Sequence, residues 1–219
     1  MLSFLLSLSF GFSGIDLDRL PAERVENIAK VVMTELQVDM PVKPSLIVTE
    51  RPEPTPLGAI SYANGKCVVI INTNKTAWSQ WGRFLNGDNM EDWTAIIATS
   101  VAHEMGHCLR ESREFVNSFE LDERQFSGLR NTSSYGPPPE MVYKQELFAD
   151  TVAMIYAQEN TGQHAPKVMQ AMLEARARYG SNEPTHNTSV MLERLLEKPL
   201  SREINESVGK AAARLLQSL

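Results

Sequence analysis

The chain is poor in the features that mark several large protein classes. Only two cysteines occur, Cys67 and Cys108, and no C-x-x-C is present. Two are too few for a disulfide framework. They read as buried thiols, with a single bridge between them as the alternative for an exported chain. No arginine or lysine run exists, and the net charge is -6. That excludes the electrostatic footprint of a nucleic-acid binder, and acidity this mild means no more than solubility. No stretch approaches the ~20 apolar residues of a membrane-spanning helix, so no integral membrane domain is expected. Repeats and low-complexity segments are absent too. What remains is 219 residues of globular composition, 42% hydrophobic and 22% charged. This suffices for one core, expected over residues 15–219.

The N-terminus departs from that composition. Met1 to Phe12 reads MLSFLLSLSFGF, apolar with interspersed serines. The run resembles the apolar centre of a secretory signal, followed by small residues at Gly11, Ser13 and Gly14, but it lacks the positive start. Residues 1–14 therefore read as a signal-like segment or as a segment docked on the core. The first reading places the protein in the periplasm or outside the cell, the second in the cytoplasm.

Periodicity supplies the elements. Asp16 to Met40 reads as a first helix, with Ile28, Val31, Val32 and Leu36 at helical spacing and Pro41 and Pro44 beyond it. Ser45 to Thr49 is a short strand. Ala59 to Tyr62 and Lys66 to Asn72 flank Asn64-Gly65 and read as a hairpin. Trp78, Trp81 and Phe84 suit a short packed helix, with an apolar rim for substrate as the alternative. Glu91 to about Glu114 is a longer helix, with Glu91 and Asp92 in its first turn where the macrodipole favours them. Ser112 to Tyr143 is irregular, and so long a connection is expected over a cleft. Helices follow over Glu140 to Gln158, Ala165 to Tyr179, Ser189 to Leu196 and Arg202 to Leu216. His164, between Gly162 and Pro166, reads as a surface loop residue. The expected class is α+β, mostly helical with a small β-sheet ahead of the Glu91 to Glu114 helix.

The informative stretch is His103-Glu104-Met105-Gly106-His107, an H-E-x-x-H inside the helical pattern. Histidines four residues apart on a helix share one face, so both imidazoles reach one metal ion. The glutamate after the first histidine can then address a water on that metal. Catalytic zinc takes three protein ligands and one water. Glu146, on the next long helix, is the candidate third ligand, and Glu140 is its rival. Asp150, one turn after Glu146, can accept a hydrogen bond from the far nitrogen of a ligand histidine. Gly106 costs about 1 kcal/mol against alanine inside a helix. Either the close approach of another backbone or room beside the zinc accounts for it. Cys108 lies about 100° round the helix from His107 and is expected behind the zinc.

These residues resemble the gluzincin metallopeptidases of the HtpX and CAAX-prenyl-protease-like family, including its soluble periplasmic members. The resemblance rests on His103 to His107, on Glu146-Leu147-Phe148-Ala149-Asp150, and more loosely on Thr185-His186-Asn187-Thr188 followed by Arg194. It spans roughly residues 92–196. Asn187 stands where the family has proline, and Cys108 is unexpected after the second histidine. The resemblance implies a zinc-dependent endopeptidase with a protein or peptide substrate. Glu104 would be the general base, and His186 the stabiliser of the tetrahedral oxyanion. Tyr135 and Tyr143 are the other candidates for that role, and Arg194 fits a structural salt bridge. By analogy, residues near Ile71 to Asn74 would take substrate backbone as an added strand. Two other readings stand beside this one. One is a zinc-stabilised binding or assembly factor with gated proteolysis. The other is a zinc amidase or deformylase with a small closed pocket. The intact Glu104 favours hydrolysis, because a purely structural site has no use for a general base.

Overall fold

In the computed structural model the described residues are 22–37, 40, 43–52, 57–61, 66–74, 77, 90–109, 139–179 and 184–219. The signal-like segment, the aromatic cluster of Trp78, Trp81 and Phe84, and the expected cleft loop with Tyr135 lie outside them. The fold is α+β, mostly helical with one three-stranded mixed sheet.

Helix α1 runs Ala22–Leu36. Val25, Ile28, Ala29, Val32, Met33 and Leu36 form its buried stripe, at the i, i+3, i+4, i+7 spacing that puts one helix face on a core. The strands are β1 (Ser45–Thr49), β2 (Leu57–Ser61) and β3 (Cys67–Asn72), in the spatial order β1-β3-β2. β1 pairs with β3 in parallel, from Ser45 opposite Val68 to Thr49 opposite Asn72. β2 pairs with it antiparallel, from Leu57 opposite Ile71 to Ser61 opposite Cys67. In β3, Cys67, Val69 and Ile71 are buried and alternate with half-buried Val68 and Ile70, the period of two that sets one sheet face on the core. β3 is thus the central strand, with both edges paired. The expectation that Ile71 to Asn74 would receive a further strand meets an obstacle here, because Ile71 is paired on both sides and Asn72 and Thr73 are already held by Thr49 on the β1 side.

Two helices make the centre of the molecule. Helix α2 (Met90–Leu109) buries Trp93, Ala95 to Ala98, Val101, Ala102, Met105, Cys108 and Leu109 on several sides at once. Helix α3 (Pro139–Asn160) is buried without a break from Glu146 to Ala157. Such a helix touches neighbours all round: α2, the C-terminal helix α6 (Val208–Gln217), α4 (Ala165–Tyr179) and α5 (Ser189–Leu196). α2 and α3 cross at Gly106. A Cβ there would lie 2.6 Å from the Cα of Ala149, so only glycine allows the approach. Close backbone contact is therefore the reason for this mid-helix glycine. α6 starts six residues later than the sequence pattern indicates, at a cap where Ser207 Oγ accepts from the Lys210 amide.

The cysteines are bonded to each other, with Cα atoms 5.5 Å apart. This overturns the reading as free thiols. Cys67 opens the buried face of β3, and the turn of α2 that aims His107 at α3 aims Cys108 at the sheet. The bond joins sheet and helix one residue beyond His107. His164 is likewise no loose surface residue. It sits in a 3-10 turn, Gly162–His164, and its Nδ1 lies 3.0 Å from Oδ1 of buried Asp92. Lys167 donates to the other carboxylate oxygen at 2.6 Å. The start of α2 is thereby clamped to the start of α4. No helix among the described residues is long and apolar enough to cross a membrane.

Candidate metal centre

The site is assembled by the α2–α3 crossing. His103 and His107 stand one turn apart on α2, rings edge to face with centroids 4.7 Å apart. Their Nε2 atoms are 3.0 Å from each other. Across the crossing, α3 presents Glu146 three residues before the Ala149 contact. Its Oε1 is 3.4 Å from His107 Nε2 and its Oε2 is 3.5 Å from His103 Nε2. The three residues form the one group among the described residues able to hold a metal, with ligand atoms within 4.8 Å of one another. Nitrogen and oxygen ligands of zinc at 2.0–2.1 Å in a tetrahedron stand roughly 3.3–3.4 Å from each other. The two ring nitrogens at 3.0 Å and Glu146 Oε1 at 3.4 Å from His107 Nε2 lie near that value, and the other carboxylate oxygen, Oε2, lies 3.5 Å from His103 Nε2. Glu140, the rival ligand, is exposed and pairs with Lys144 at 3.0 Å.

Asp150 lies fully buried under this group. Its Oδ1 accepts from His103 Nδ1 at 2.8 Å. A carboxylate only accepts, so the His103 proton is on Nδ1 and the Nε2 lone pair is free to face inward. Burial opposes a charge on His103, but Asp150 outweighs it and raises the ring's pKa. Burial would also raise the Asp150 pKa, yet Arg176 and His103 hold it far below the ordinary carboxylate range. Asp150 further accepts from Thr188 Oγ1 at 2.5 Å.

Glu104, partly buried on α2, feels the charges of His103, Glu146, Arg176 and Asp150. Its pKa is raised, first by burial and then by the neighbouring Glu146 carboxylate. His186, in the 3-10 turn Pro184–His186, brings Nε2 to 3.5 Å from Glu146 Oε1 and so borders the group. Tyr143 is buried one turn before Glu146, with its hydroxyl pKa pushed up to about 12 mainly by burial. Arg194 is exposed on α5, and its charge lowers the Tyr143 hydroxyl pKa against the effect of burial.

Arg176 was not singled out by the sequence pattern. From α4 it forks onto Asp150, with Nε 2.8 Å from Oδ2 and Nη2 2.7 Å from Oδ1. The same Nη2 reaches Glu146 Oε2 at 3.1 Å. One signal was available: Arg176 follows Met172 and Leu173 at helical spacing, and a cation on an apolar stripe needs a buried partner. Thr188 carried no comparable mark. No protein-family model, curated protein or solved structure matches this chain.

Proposed function

We propose that the protein is a zinc-dependent peptidase that cleaves peptide bonds in protein or peptide substrates, built on gluzincin lines. The observation that carries this reading is the convergence of one donor atom each from His103, His107 and Glu146 within 4.8 Å, with Glu104 directly after His103 on α2 and within reach of the same charges. When bound, zinc supplies Lewis acidity, lowering the pKa of water to about 7 and polarising the scissile carbonyl. The chain's own residues do the rest. Glu104 takes the proton of the attacking water and passes it to the leaving amine. Burial raises its pKa above the ordinary carboxylate value, which strengthens it as a proton acceptor. Asp150 fixes the His103 tautomer and keeps its Nε2 turned inward. His186 borders Glu146 where an N–H donor can meet the developing oxyanion.

Substrate backbone would add to an outer edge of the sheet, since β3 is enclosed. β2 is the better edge because it packs directly against α2. The Cys67–Cys108 bond supports work in an oxidising compartment, periplasmic or extracellular.

The test compares wild type with Glu104→Gln for zinc content and for cleavage of a peptide library. The expected result is equal zinc and a loss of cleavage of roughly 10²–10⁴-fold. Equal cleavage by both would remove Glu104 from the reaction. Zinc in both with cleavage by neither would replace hydrolysis with the binding or assembly role.

A further inference from the structure

Arg176 uses every proton it directs at the site. Its Nε–H donates to Asp150 Oδ2, and the two Nη2 protons go to Asp150 Oδ1 and Glu146 Oε2. The contact with Glu146 divides that carboxylate in two. Oε2 faces the guanidinium at 3.1 Å and lies 3.5 Å from His103 Nε2, whereas Oε1 lies 3.4 Å from His107 and 3.5 Å from His186. The guanidinium does not take the metal's own place. Its Nη2 is 3.3 Å from both ring nitrogens of His103. A point on the Nε2 lone pair would be much nearer Nε2 than Nδ1, so Nη2 lies off that line and leaves it open.

We infer that Arg176 is a positioning residue that occupies one oxygen of Glu146 and thereby leaves the other, Oε1, as the single carboxylate ligand. The inference rests on the metal reading above and adds what sets the coordination number. A carboxylate free at both oxygens can bind a metal through both, filling the fourth position that a catalytic site keeps for water. Asp150 anchors the device, since the fork on its two oxygens fixes where Nη2 points. Arginine suits this role and lysine does not, because only a planar fork spans two carboxylates at once.

The experiment has a wild-type arm and a variant arm. In the zinc-loaded wild type, X-ray absorption should show one carboxylate oxygen near 2.0 Å. A second oxygen of the same carboxylate on the metal would overturn the inference without any mutation. In Arg176→Met, zinc affinity against a chromophoric chelator should fall roughly 10–100-fold. The cobalt-loaded variant should change from a four-coordinate to a five-coordinate visible spectrum. Affinity and spectrum like the wild type's would overturn it. Should the methionine variant fail to fold, with Asp150 left buried and uncompensated, Arg176→Lys restores the charge without the fork. It is expected to give the same five-coordinate spectrum, and a wild-type spectrum there would overturn the assignment. Failure of the wild type to bind zinc or cobalt would defeat the metal reading itself, an outcome visible before any variant is made.

Discussion

Gly106→Ala sets two effects of opposite sign against each other. Helix propensity favours alanine by about 1 kcal/mol in a helix interior. The crossing with α3 opposes it, because the new Cβ would stand 2.6 Å from Ala149 Cα, 3.1 Å from its Cβ and 3.2 Å from its carbonyl oxygen. The first of these is backbone, which cannot rotate away. Ordinary contact begins at 3.4 Å, so the helices must part by about 0.8 Å in an interior packed too tightly to absorb it. Overpacking of this kind costs about 1–3 kcal/mol. The net expectation is a loss of up to about 2 kcal/mol in chelator. A further loss should appear with zinc. Glu146 rides on the displaced helix, and a shift of ~0.8 Å is several times the ~0.2 Å tolerance of a metal–ligand distance. Each tenfold drop in affinity removes about 1.4 kcal/mol of zinc-linked stabilisation. Urea unfolding of both proteins, in chelator and in excess zinc, reads the two terms separately. A variant more stable than wild type in chelator, with an undiminished response to zinc, would refute the close crossing and the assembly of the site by it.

Two further outcomes are expected. The Cys67–Cys108 bond closes a loop of 41 residues' separation, so loop-closure entropy assigns it about 4 kcal/mol. Urea unfolding with and without reductant, checked against Cys67→Ala/Cys108→Ala, should show that difference, and indistinguishable midpoints would contradict a formed bond. The second concerns acid. Burial alone would raise the Asp92 pKa, but Lys167 and His164 hold it below the ordinary value. A carboxylate depressed by folding stabilises the fold above its unfolded pKa of about 4 and loses that contribution as pH falls through the folded value. The stability gap between wild type and Asp92→Asn should therefore be present at pH 7 and close as the pH is lowered below about 4. A gap unchanged at the acid end would show that the clamp on α4 does not depend on the charge.

Local signals in the sequence reached far, and they failed where chain-distant geometry decides. The helices of Ala22–Leu36, Ala165–Tyr179 and Ser189–Leu196 follow their apolar periodicity, and the strands follow β-branching around Asn64-Gly65. His103 and His107 share a face because four residues make about one turn. Glu146 and Asp150 are one turn apart for the same reason, and the structure brings all four together. The order of strands was not legible: nothing in SLIVT says that it runs parallel to β3 and encloses it. Neither was the disulfide, since Cys67 and Cys108 meet only once sheet and helix have packed. Asp92 illustrates the same limit. Its position in a first helical turn gave it a sufficient local role, which concealed the partners supplied by the turn before α4.

The same chain-distant contacts hold the site together. Asp150 is a fully buried carboxylate that accepts from His103, Thr188 and the Nε and Nη2 donors of Arg176. Removing any one donor leaves charge or lone pairs stranded where water cannot reach, which costs more than the contact itself contributes. The donors come from α2, α4 and the segment between the 3-10 turn and α5, so the network fixes those elements against α3 as well as orienting a ring. The disulfide then fixes the sheet to α2 one residue past His107. Positions of the His103, His107 and Glu146 donor atoms are thus set by the packing of the core. Pre-formed ligand geometry predicts that zinc should tighten this fold without building it. The far-ultraviolet circular dichroism of the chelator-treated protein should match that of the zinc-loaded one, whereas large helix gain on zinc addition would mean that the metal, and not the core, assembles α2 against α3.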